Sequence, residues 1–132
     1  MRAAVAAFVV DAALVVAFAT VGRASHDEAV SLTGILAVAW PFLVALVVGW
    51  AAARARGGSW PVRVPGSVIV WLVTSVLGLA LRVLAGGGFA WSFGLVTLIV
   101  LGLFLVGWRC AVEVARFLGE GLARWSASTS RR

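Results

Sequence analysis

The sequence predicts an all-α integral membrane protein: a bundle of four transmembrane helices followed by a C-terminal amphipathic helix. Three observations carry this prediction. Hydrophobic residues make up 63% of the 132-residue chain and charged residues 12%, against roughly 45–50% and 25% in soluble domains. The mean hydropathy is +1.09. The charges are also grouped, and the uncharged runs between them are each long enough, at about 1.5 Å per helical residue, to cross a hydrocarbon core of ~30 Å.

The first run lies between Arg2 and Arg23 and holds one charge, Asp11, which places a helix over about residues 3–22. A cleaved signal peptide is the competing reading, since Ala17-Phe18-Ala19 mimics a small-x-small site. Asp11 and the length of the run argue against it. The second run, read as a helix over about 32–53, is uncharged and contains Pro41, which removes a backbone donor and predicts a kink that a membrane helix tolerates. Arg54 to Arg63 includes Gly57, Gly58 and Pro61 and reads as a polar turn. Pro65 suits the first turn of a third helix over about 65–85. Gly86-Gly87-Gly88 breaks it, and a fourth helix follows over about 92–108.

Beyond Arg109, the residues Glu113, Arg116, Glu120 and Arg124 recur at three- and four-residue spacing, while Phe117, Leu118, Leu122 and Trp125 occupy other faces. This predicts an amphipathic helix with i,i+4 ion pairs, lying along lipid headgroups or against a partner. Residues 1–125 form a single domain on this reading, and 126–132 a disordered tail.

Every basic residue is arginine, and of the eleven, nine fall in the N-terminal flank, the 54–63 turn and the segment after the fourth span. Only Arg23 and Arg82 lie on the opposite side. The positive-inside rule therefore predicts a multi-pass protein of the cell membrane with both termini cytoplasmic. A net charge of +6 beside apolar spans is explained by topology, so nucleic acid is not expected as a partner. The lipid bilayer is, and a homo-oligomer is compatible with the sequence. One cysteine, Cys110, and one histidine, His26, offer neither a disulfide nor a metal site, and no cofactor is expected.

Two polar groups are candidates for function. Asp11 lies within the first span, where a carboxylate is costly and must face the bundle. It reads as a proton or cation site, or as a structural group bonded to Trp71, Thr74 or Ser75, which lie at similar depth on the third helix. The second group, Arg23, Ser25, His26, Asp27, Glu28 and Arg82, collects at the outer rim. It reads as a vestibule for a polar solute or as a loop fastened by ion pairs. Catalysis is the weakest reading, because there is no nucleophile elbow, no zinc-protease motif and no second histidine. Transport or channel-like activity leads, with a non-catalytic scaffold or accessory subunit as the alternative.

Asp11, Gly22-Arg23 with Ser25-His26, Ala39-Trp40-Pro41-Phe42, Trp71-Leu72-Val73-Thr74, Leu81-Arg82 and Gly107-Trp108-Arg109 together resemble domain-of-unknown-function family 3054 over about residues 5–110. The resemblance implies a small prokaryotic four-span membrane protein and carries no assigned activity. The C-terminal helix lies outside it.

Overall fold

A computed structural model describes residues 1–24, 31–88 and 90–129, leaving aside the side chains of 126–128. Five helices follow in order: α1 (Arg2–Ala24), α2 (Leu32–Gly57), α3 (Val64–Leu84), α4 (Trp91–Leu105) and α5 (Gly107–Thr129). By length and composition, α1, α2, α3 and the joined α4–α5 rod are each able to cross a membrane.

Ring and glycine contacts fix the topology. Phe8 meets Trp50 and Phe18 meets Phe42, so α1 and α2 run antiparallel. Gly49 lies against Val70 and Gly78 against Phe42, which makes α2 and α3 antiparallel as well. The Trp71 indole bonds the Leu98 carbonyl while Arg82 stacks on Phe93, and this reverses direction again into α4. The result is an up-down-up-down bundle. One end carries Arg2, Arg54 and Arg63, and the other carries Arg23 and Arg82.

The buried face of each helix is read from its spacing. On α1 it is Ala4, Ala7, Asp11, Val15 and Phe18; on α3 it is Ser67, Val70, Thr74 and Gly78; on α4 it is Gly94, Thr97, Leu101 and Leu105. Intervals of three and four residues place each set on one stripe. These stripes are richer in alanine, glycine, serine and threonine than the outer faces, where Val5, Val9, Val47, Val76, Leu95 and Leu103 are exposed. Lipid tails are as apolar as leucine, so small residues gain by letting backbones approach, and large ones are free to face lipid. A Cβ added at Gly49 would lie 3.1 Å from the Val70 carbonyl oxygen. At Gly78 it would overlap the Phe42 ring.

The ends follow local chemistry. The Ser31 hydroxyl accepts from the Gly34 amide at 3.2 Å and caps α2; Gly58, in the left-handed conformation (φ 66°), terminates it as only glycine does cheaply. Pro41 is buried within α2, which stays helical through it. Three expected boundaries shift. Helix α2 continues through Arg54 and Arg56 to Gly57, into the stretch expected as a turn. The expected fourth helix is interrupted at Val106, so that α4 ends at Leu105 and the same rod resumes as α5. Helix α5 then continues to Thr129, past the expected end at 125.

Candidate functional site

Asp11 is wholly buried, and its carboxylate is the centre of a network at the arginine-rich end. Arg109 meets it in a two-pronged pair, Nη1 to Oδ1 and Nη2 to Oδ2, each at 2.8 Å. The Trp50 indole donates to Oδ2 at 2.9 Å and the Trp108 indole to Oδ1 at 3.0 Å. Each oxygen therefore accepts two hydrogen bonds, which fills the lone-pair sites of a carboxylate.

Arg109 is equally enclosed, at 1% exposure. Its Nε donates to the Pro61 carbonyl at 3.1 Å, and Nη1 also donates to the Leu105 carbonyl at 2.6 Å. The break at Val106 explains the second contact: carbonyls in the last turn of a helix lack an intrahelical donor, and a side chain can supply one. The guanidinium carbon lies 4.6 Å from the Trp108 ring centroid and 6.0 Å from that of Trp50, within cation–π range. A buried charge pair is tolerable only when geometry is good and the leftover donors and acceptors are met. Both conditions hold here. One point thereby ties α1, α2, the turn before α3, α4 and α5 together.

Asp11 thus faces the bundle, but its partners differ from those expected on α3. Trp71 bonds Leu98 instead, and Thr74 and Ser75 are buried with hydroxyls that have no partner among the described residues. Thr97 of α4 is in the same condition. Gly49 packs on Val70 and Thr74, and the next residue of α2, Trp50, holds Asp11. Trp50 and Trp108 turn inward to Asp11, while Trp40 of the same helix as Trp50 is 44% exposed.

Arg109, which the sequence places just past the fourth span, pairs with Asp11, and Glu113 accepts the Val64 amide at 3.2 Å, joining α5 to the first turn of α3. One described ion pair of the predicted series remains on α5, Glu120 with Arg124 at 3.8 Å, exposed on both sides. The signal that could have found Arg109 was the acid itself: an acid within a span calls for a basic partner at matching depth.

At the opposite end, Arg23 lies against Gly34 of α2, while Arg82 stacks on Phe93 of α4, 4.6 Å from the ring centroid. Ser25, His26, Asp27 and Glu28 lie outside the described residues, so the outer group is placed only at its two arginines. Among the described residues no group of three or more His, Cys, Asp or Glu side chains could hold a metal ion.

The open grooves described gather at the arginine-rich end. One, of about 380 Å³, lies between α1 and α2 and is apolar. Another, of about 360 Å³, runs between α1 and α5 beside Arg63, Glu113 and Arg116.

No curated protein and no solved structure matches the chain. The sequence model of the family described as "Protein of unknown function (DUF3054)" matches residues 8–112, a stretch that includes Asp11, Trp50, Trp108 and Arg109 and ends early in α5. This multi-pass helical membrane protein therefore belongs to the DUF3054 family.

Proposed function

We propose that the protein is a non-catalytic membrane scaffold or accessory subunit, in which a rigid four-span bundle holds α5 for contact with a partner. The saturation of Asp11 is the observation that carries this reading. A proton or cation carrier needs a carboxylate that can exchange its ligand, whereas all four acceptor positions of Asp11 are taken by Arg109, Trp50 and Trp108. Its chemistry is that of a strut. The strut sits at the root of α5, whose residues beyond Arg109 are exposed through Trp125; helical spacing puts Val114, Leu118, Leu122 and Trp125 on the side away from the charges, with Phe117 beside the charged face. By the positive-inside rule, the arginine-rich end and α5 are cytoplasmic.

Transport is the second reading, and the three buried hydroxyls favour it. Thr74, Ser75 and Thr97 lie inside the bundle without a protein partner among the described residues, as groups lining a polar path would. Reconstitution separates the two. Proteoliposomes of the full chain should show no proton or sodium flux above empty liposomes. A photocrosslinker at Phe117 or Leu122 should trap one discrete species in native membranes, while one at Leu95 traps none. Flux above the empty-liposome level would reject the scaffold reading.

A further inference from the structure

We infer that the groove between α1 and α2 at the arginine-rich end is a binding site for an anionic phospholipid, with one acyl chain in the groove and the phosphate against Arg54. The groove is walled by Ala4, Val5 and Phe8 on α1, by Val47 and Ala51 on α2, and by Trp60 from the following turn. Every one of these side chains is apolar, and small alanines on both walls recess the surface. Val5 and Val47 are 60% and 56% exposed, so the groove opens outward from a segment able to span a membrane. In the bilayer such an opening meets hydrocarbon, and a hydrocarbon chain is its natural filling.

The identity of the headgroup follows from charge. Arg54 lies seven residues beyond Val47 along α2, about 10 Å at the helical rise, which is the displacement from acyl chain towards headgroup. Its guanidinium lies 5.4 Å from the Trp60 ring centroid, so the aromatic wall of the groove also holds the cation at its rim. Tryptophan at this level is an interfacial anchor. Arg54 Nη1 donates to the Gly58 carbonyl; a guanidinium has five N–H donors, so others remain for a phosphate. Arg2 and Arg56 belong to the same end of the bundle and carry like charge. No acidic side chain lines the groove. This inference does not depend on whether the protein is a scaffold or a transporter.

The test is retention of lipid by the purified full-length chain after detergent exchange, read by native mass spectrometry. Phosphatidylglycerol and phosphatidylcholine with the same acyl chains are supplied in equal amounts. Wild type should retain phosphatidylglycerol preferentially, and Arg54→Gln should lower that preference about fivefold, the effect of one arginine near a membrane surface. Ala51→Phe fills the groove without touching charge and should lower retention of both lipids. Leu95→Phe, on an exposed face of α4, should change neither. Equal retention of the two lipids by wild type, or undiminished retention by Ala51→Phe, overturns the proposal. A phosphatidylglycerol carrying a photoreactive acyl chain gives an answer that needs no variant. Labelling concentrated on the α1 and α2 peptides that include Phe8 and Val47 supports the site, and labelling spread evenly over the four spans refutes it.

Discussion

Asp11→Asn is nearly isosteric and removes one charge, yet the structure predicts a large loss of stability. Arg109, at 1% exposure, keeps its charge and loses its counterion. The amide also presents an N–H₂ where the carboxylate had an oxygen, so one side of the group sets donor against donor: towards Arg109 Nη1 and Trp108, or towards Arg109 Nη2 and Trp50. Breaking a buried pair by removing one partner costs about 3–5 kcal/mol, because an uncompensated charge stays in a low-dielectric site. Arg109→Gln should cost a similar amount by stranding Asp11. Replacing both at once, as Asp11→Leu with Arg109→Met, removes the charges together and should cost far less than the two single changes added. Reversible unfolding in mixed micelles, followed by tryptophan fluorescence, measures all three. The reasoning fails if either charge-neutralising variant unfolds within about 0.5 kcal/mol of wild type, since that is the range of surface substitutions. It fails equally if the double replacement costs as much as the sum.

Trp50→Phe keeps an aromatic side chain but deletes the indole donor to Asp11, and a drop of about 1–3 kcal/mol is expected in the same unfolding experiment, as for a lost hydrogen bond to a charged group. Gly78→Val should destabilise by about 1–3 kcal/mol or more through overlap with Phe42, a loss that Phe42→Ala in the same chain should partly relieve. Thr97→Val conserves shape while removing a buried hydroxyl without a described partner; the melting temperature should stay level or rise, and a fall would show that the hydroxyl makes a bond that matters. In a Cys110→Ser background, cysteines at Ala24 and Gly87 should react with an impermeant reagent on intact cells, whereas one at Gly58 should not. Labelling at Gly58 would invert the proposed topology.

Much of the fold was legible because a bilayer imposes a length. The gaps between Arg2, Arg23, Arg54, Arg63, Arg82 and Arg109 delimit runs that cross hydrocarbon whatever their detailed sequence, and Gly58 and Gly86 supply the left-handed turns near the helix ends. Membership of the bundle was equally plain for Asp11, since a lipid-facing carboxylate is too costly. Its partner was not legible. In the sequence Arg109 marks the end of the fourth uncharged run, where a charge meets the edge of the hydrocarbon. The structure instead draws it inward, because Asp11 offers an opposite charge and the break at Val106 leaves the Leu105 carbonyl available.

Which face of each span turns inward also escaped the pattern. A soluble helix announces its buried side by contrast with a polar one, but here both sides are apolar, and the inner stripes differ mainly by being small. Trp40 and Trp50 show the consequence: ten residues apart on one helix and alike in character, one faces lipid and the other holds Asp11. The sequence alone determined the number of spans and their approximate ends, because these depend on length and hydrophobicity along the chain. Only the tertiary structure decided that Asp11, Trp50, Trp108 and Arg109 form one site, because their meeting depends on helix rotation and the break at Val106, and neither leaves a periodic signal in an apolar sequence.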